Sequence, residues 1–238
     1  MDYLSQHSSL LDKANDYYYS DEESITYYGR KPKSRYWSFR KAVDHLTNLN
    51  RPLIIVELGT SRSFVDGRFP GCNSNDTTFW DPAKPEKWDW SAGLFTRVFA
   101  KSFPQAIVHT VDMCSSHIAR CKHMNSDCTN IVYHVTTSEE FLKTFDQKID
   151  LLYLDTGDMI PIEPTAQLHL REARLVVRRN LVKPDGIVLI DDVRNLAPKR
   201  AGEESDYGKA KYSIPYFKQN GYINVFDEYQ VILKPPSE

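Results

Sequence analysis

The sequence has little of what several classes of protein require. No apolar run approaches the ~18 residues of a membrane-spanning helix, so no transmembrane segment is expected. The stretch from Met1 to Leu11 is polar and lacks the basic and apolar regions of a secretory signal, so none is expected there. Four cysteines in 238 residues are too few for a disulfide scaffold, which points to a reducing, cytoplasmic setting. Net charge is also nearly absent. Thirty basic against thirty-two acidic residues leave −2, which argues against bulk attraction to nucleic acid or to an anionic membrane. Three glycine-dependent motifs are missing as well: G-x-G-x-x-G, G-x-x-x-x-G-K-[ST] and G-x-S-x-G. A dinucleotide fingerprint, a P-loop and a hydrolase nucleophile elbow are therefore unsupported.

What is present suits one α/β domain. A 41% hydrophobic content is enough to build a core at this length. Residues 1–51 read as an N-terminal extension: a tyrosine-rich lead-in, the basic run Arg30–Arg35, and a helix from Tyr36 to about Leu49 with Phe39, Val43 and Leu46 on one face. From residue 52 to 238 strands and helices alternate. Continuous apolar runs at 53–58, 106–112, 131–135, 149–155 and 186–192 predict five parallel strands, the last introduced by the turn Pro184-Asp185-Gly186. Helical patterns fall at 91–102, 115–124, 138–145 and 163–180, and residues 222–234 read as two further strands joined at Asp227-Glu228. The pattern predicts a doubly wound, mostly parallel, seven-stranded sheet. Residues 64–90 break the rhythm with Trp80, Trp88 and Trp90, and read as a lid-like insertion over the site.

Four strands end in acids: Glu57, Asp112, Asp155, and the pair Asp191-Asp192. In an open parallel sheet these ends share one edge, where ligands bind. Five like charges gathered there need something positive among them, such as a cationic cofactor or a divalent metal.

The motifs E-L-G-T (57–60), Asp112, T-T-S (136–138), L-Y-L-D-T-G-D (152–158) and P-D-G-I-V-L-I-D-D-V (184–193) resemble those of class I S-adenosylmethionine-dependent methyltransferases over residues 52–235. The resemblance implies a Rossmann-like fold with a reversed last strand. The fourth and fifth strand ends are similar to those of the metal-dependent O-methyltransferases of the catechol, CmcI-like and macrolide-sugar type. That likeness implies Mg²⁺ held by Asp155, Asp191 and Asp192. It also implies S-adenosyl-L-methionine bound by Glu57, Gly59, Thr60, Ser61, Asp112, Ser138 and Asp155. The family's base position falls on Asp158, which reads equally as a proton acceptor, a ligand or a turn residue. The activity implied is methyl transfer to a hydroxyl of a sugar or glycan, with a small phenol as the alternative acceptor. A non-catalytic module of the same fold and a nucleotide-dependent oxidoreductase are rival readings. The intact strand-end acids argue against the first and the missing glycines against the second. No nucleic-acid or membrane partner is expected, and a homo-oligomer is compatible with the sequence.

Other signals read more plainly. Cys114, Cys121 and Cys128 recur every seven residues, too far apart for a standard zinc site, and suit an inward helix face. Arg30–Arg35 reads as a solvated linker, His169 as an exposed or capping residue, and Lys209 and Tyr212 as the start of the last helix on the acceptor side.

Overall fold

The computed structural model describes residues 2–19, 30–60, 94–195, 202 and 206–237. The predicted lid at 64–90 and Ser61 lie outside them. Seven strands form one sheet: β1 (Ile54–Leu58), β2 (Ile107–Asp112), β3 (Ile131–Val135), β4 (Ile149–Leu154), β5 (Val182–Ile190), β6 (Ile223–Asp227) and β7 (Val231–Lys234). Their order is β3-β2-β1-β4-β5-β7-β6. All neighbouring pairs among β1 to β5 are parallel, while β7 runs antiparallel to both β5 and β6. This is the Rossmann-like sheet with a reversed last strand that the sequence predicts.

The continuous apolar strands are explained by cover on both faces. Side chains alternate along each strand. Ile55, Leu151, Tyr153, Ile187 and Leu189 point into one core, and Val56, Leu58, Leu152, Leu154, Val188 and Ile190 into the other. The first core is closed by α1 (Ser8–Tyr18), α2 (Arg35–Thr47) and α3 (Phe95–Ser102). At its centre Phe95 stacks on Tyr153 at 4.2 Å between ring centroids, and Phe39 meets Phe95, Phe99 and Tyr153 edge-on. The second core is closed by α5 (Ser138–Thr144), α6 (Ile162–Arg178) and α7 (Ser213–Gln219). Helix α4 (Ser115–Met124) lies between β2 and β3 in the chain and puts Ile118, Cys121 and Met124 inward.

Two sequence readings are corrected here. The N-terminal lead-in is not merely polar. A 3-10 turn (Leu4–His7) and α1 deliver Leu4, Leu10 and Leu11 into the first core beside Phe39 and Ile55. The tyrosine-rich composition hid three leucines whose spacing suits one helical face. Second, Pro184-Asp185-Gly186 is not a turn before β5 but lies inside it. The strand pairs with β4 from Val182, and the register shifts between Ile149 and Leu151 to absorb the interruption. Asp185 is held there by a paired hydrogen bond from Arg51 at 2.7 and 2.8 Å.

Because Leu4 is fully buried in the main core, Leu4→Ala is expected to destabilise the chain by roughly 2–5 kcal/mol in urea unfolding. An extension independent of the domain would leave the unfolding midpoint unchanged.

Candidate functional site

The strand order reverses between β1 and β4, and the loops after β1, β2 and β4 converge there. The Gly59 N–H donates to Val111 O at 2.9 Å, and the Asp155 N–H donates to Leu58 O at 2.9 Å. Gly59 has φ +87°, and a Cβ there would stand 2.4 Å from the Asp155 carbonyl oxygen. Only glycine allows both the left-handed backbone and the approach. Such a close-set, side-chain-free turn at a sheet's switch point is the usual place for a nucleotide-like ligand.

Glu57 lies beneath this turn, buried, and accepts hydrogen bonds from the hydroxyls of Thr96 and, at 2.7 Å, Thr110. Thr110 also reaches Thr60 Oγ1 at 2.7 Å, which ties Thr60 to the same group. Burial pushes the Glu57 carboxyl up to about 8, against the pull of its two threonine partners. Asp112, at the end of β2, accepts from the Cys114 N–H at 2.7 Å and lies 3.3 Å from His117 Nδ1. Ser138 opens α5 behind Thr137, whose hydroxyl accepts from the Glu140 N–H. Ser138 is buried close to the Glu172 carboxyl.

Asp155, Asp191 and Asp192 do come together, with ligand atoms all within 4.8 Å of one another. The positive charge among them belongs to the protein itself. Asp191 is fully buried, and its two oxygens are saturated. Oδ2 accepts from Arg35 Nη2 at 2.7 Å and Tyr153 OH at 2.8 Å, and Oδ1 from Gln230 Nε2 and the Asp192 N–H, both at 2.8 Å. Arg35 Nε lies 3.2 Å from each oxygen. Asp192 Oδ1 accepts from Tyr229 OH at 2.5 Å and Asn195 Nδ2 at 3.1 Å. Lys209 then bridges the other two acids, with Nζ 2.8 Å from Asp155 Oδ1 and 3.0 Å from Asp192 Oδ2.

Local sequence explains how the cations arrive. Arg35 is the first residue of α2, on the face of the sheet where Tyr153 and Asp191 point. Lys209 comes from the opposite layer, on a 3-10 turn (Gly208–Ala210). Gly208 permits it: with φ +51°, a Cβ would fall 2.0 Å from the Asp192 carbonyl oxygen. Burial alone would raise Asp192, but Lys209 and Arg35 outweigh it and hold the carboxyl well below the usual range. Burial also opposes the charge on Lys209, yet the carboxylates of Asp155, Asp192 and Asp191 keep it firmly protonated. Asp155 is pushed above the carboxylate range by burial, against Lys209, with Asp191 and Asp192 adding to the rise.

The residues present therefore do not fit a resident Mg²⁺. The ion needs oxygen ligands free to point at it. Asp191 has none to offer, and Asp155 and Asp192 each commit an oxygen to the same ammonium. The three acids expected to hold Mg²⁺ thus come together, but with their oxygens taken up by Arg35 and Lys209. Sequence reading asked for a positive charge at these acids but sought it outside the chain.

Other expectations change too. The Arg30–Arg35 run is not simply a solvated linker. Arg35 is buried on Asp191, while Arg30 meets Glu228 at 2.5 Å from a mostly exposed position. His169 is fully buried rather than exposed, with Nε2 donating to the Thr156 carbonyl at 3.0 Å; burial lowers it to about 3. Beside it Glu172 accepts from Thr156 Oγ1 at 2.8 Å, and burial lifts its carboxyl to about 7. Tyr212 is engaged with exposed Glu163 through its hydroxyl, and Asp158 is an exposed turn residue whose carbonyl accepts from Thr165. Cys114 precedes α4, Cys121 lies within it and Cys128 beyond it, so the sevenfold spacing is not a helix face.

No family model matches the chain, and no curated protein matches it. Among solved structures, the chain is similar to the N-methyltransferase NodS from Bradyrhizobium japonicum WM9, at 11% identity and TM-score 0.47, over 84% of this chain and 97% of that one. It is similar to the S-adenosylhomocysteine-bound methyltransferase PaMTH1 of Podospora anserina, at 13% identity and TM-score 0.49, over 86% and 78% of the two chains. Aeropyrum pernix fibrillarin, solved with natively bound S-adenosyl-L-methionine, matches at 13% identity and TM-score 0.44, over 77% and 66%.

Two outcomes follow from the buried charges. Arg35→Ala leaves Asp191 buried without its main cation and is expected to destabilise by roughly 3–5 kcal/mol. Arg30→Ala, removing an exposed pair, is expected to change stability by less than about 1 kcal/mol in the same denaturation assay. Glu57 ionises near 4.5 when unfolded but near 8 when folded. The folded state thus holds an extra proton between those values, and this contribution to stability is lost as pH rises towards 8. Glu57→Gln removes that loss, so its melting temperature should gain on the wild type steadily from pH 5 to pH 8.

Proposed function

We propose that this chain is an S-adenosyl-L-methionine-dependent methyltransferase that methylates a hydroxyl oxygen of a small-molecule or glycan acceptor, a sugar first and a phenol second. The observation that carries the reading is the turn at Gly59. It is stripped of side chain, pressed on the Asp155 backbone, and adjacent to the acid that ends β2. A cradle that any Cβ would fill suits the close approach of a cofactor.

In this reading Gly59 and Thr60 meet the amino-acid part of the cofactor, with Glu57 bracing them through Thr110. Asp112 accepts hydrogen bonds from the ribose hydroxyls. Ser138, at the start of α5, lies beside the adenine. S-adenosyl-L-methionine supplies an electrophilic methyl group on a sulfonium. The acceptor oxygen forms a bond to that methyl carbon, the carbon–sulfur bond breaks, and the acceptor proton leaves to a base.

Asp155 is the better base than Asp158. It sits against the Gly59 turn, keeps part of its side chain exposed, and commits Oδ1 alone to Lys209. Asp158 belongs to the exposed turn beyond it. The neighbouring Lys209 ammonium would offset negative charge developing on the acceptor oxygen. No step is routed through Mg²⁺, because the acids that would hold it are held by Arg35 and Lys209.

Calorimetry with S-adenosylmethionine and S-adenosylhomocysteine tests the cofactor assignment. Saturable binding of both is expected, weakened at least roughly tenfold by Asp112→Ala, whose lost hydrogen bonds are charge-assisted. Binding of neither compound would overturn the reading. In turnover assays with simple sugars and phenols, Asp155→Asn should lower kcat by about 10²–10⁴, whereas Asp158→Asn should leave it near wild type.

A further inference from the structure

We infer that the Lys209 ammonium, together with the Arg35 guanidinium, is a built-in replacement for a divalent cation at the strand-end acids, so that this site works without a metal. The inference deepens the methyl-transfer reading and takes its functional meaning from it.

Charge balance is the first support. Asp155, Asp191 and Asp192 bring three negative charges, and Arg35 and Lys209 bring two positive ones. The remainder is a single negative charge, the same as three carboxylates would leave around one divalent ion. That remainder still favours a sulfonium nearby.

Ligand geometry is the second. A cluster of carboxylates is satisfied either by an ion that several oxygens share or by donors that each take one. Here the donors come from separate parts of the fold. Arg35 begins α2, Tyr153 lies on β4, Asn195 follows β5, Tyr229 and Gln230 precede β7, and Lys209 sits on its 3-10 turn. Lys209 is the one that bridges. Its nitrogen contacts one oxygen of Asp155 and one of Asp192, the two acids that still have a side not taken up by Arg35. Its side chain is only 4% exposed, so the ammonium does not drift away into solvent.

Backbone strain is the third. Asp192 has φ +54°, unusual for a residue other than glycine. Gly208 is pressed on its carbonyl. Two left-handed residues, Asp192 and Gly208, thus meet where Lys209 is seated between Asp155 and Asp192.

The lysine and a divalent ion therefore compete for the same two oxygens. Removing the ammonium should turn a metal-free site into a metal-binding one. Lys209→Ala frees Asp155 and Asp192, whose side chains are 21% and 11% exposed, as a pair of anionic oxygen ligands, which suits Mn²⁺ or Mg²⁺.

The test is Mn²⁺ titration of the full chain, read by electron paramagnetic resonance, with S-adenosylhomocysteine calorimetry run on the same samples. The wild type is expected to show no stoichiometric Mn²⁺ site. Lys209→Ala is expected to bind one Mn²⁺ at least about tenfold more tightly, since oxygen-ligand sites gain affinity with net ligand charge. The added change Asp155→Asn should abolish that gain. Lys209→Met, which keeps the volume and drops the charge, serves if the alanine variant does not fold. A wild-type site for one Mn²⁺ that Asp155→Asn removes would overturn the inference, and so would a folded Lys209 variant no better than wild type. Loss of S-adenosylhomocysteine binding with the Mn²⁺ pattern intact would instead sink the methyltransferase reading and leave the built-in cation standing.

Discussion

The structure depends on how three carboxylates crowded at the ends of two adjacent parallel strands are balanced by cations. Parallel pairing puts the ends of β4 and β5 side by side, so Asp155 and the Asp191-Asp192 pair cannot avoid one another. Unpaired, they would repel and take up protons. Arg35 answers from the helical layer on one face of the sheet and Lys209 from the layer on the other. The cluster thereby becomes a clasp that joins both layers to the sheet edge. The N-terminal helices are tied in by charge as well as by Leu4, Leu10 and Leu11.

The same clasp shapes the neighbouring crevice. Asp155 is both a member of the cluster and the residue whose backbone meets Gly59. Any ligand seated on the Gly59 turn therefore lies next to a group of charges whose net sign is negative and which includes the buried Lys209 ammonium. Tyr153 links the crevice downward, since its ring stacks on Phe95 while its hydroxyl donates to Asp191. Packing and electrostatics converge on one side chain, so a shift in the aromatic core would be felt at the acids.

Much of this was legible in the chain. Continuous apolar runs located the five parallel strands within a few residues, because parallel strands covered on both faces have little choice of composition. The acid positions and the glycine after β1 were equally visible. Other parts were not. Arg35 sat in a basic run that looked like a linker, and burial of one arginine out of such a run leaves no periodic mark. His169 looked like an exposed or capping residue until the packing of α6 against the turn after β4 enclosed it. Pro184-Asp185-Gly186 carried every local sign of a turn, and the pairing of Val182 with Ile149 overrode them.

By itself the sequence determined which residues would be strands, that they would form one mostly parallel sheet, and that five acids would share its edge. Those are local and periodic properties, and the right-handed crossover leaves few ways to assemble them. Only the tertiary structure decided what neutralises the acids. Arg35 and Lys209 are separated from Asp155 by more than a hundred and by fifty-four residues respectively. Their arrival depends on two layers closing over the sheet and on the room left by Gly208. Pairing across such distances is set by packing, which no local pattern encodes, so the charge the sequence called for was found inside the chain.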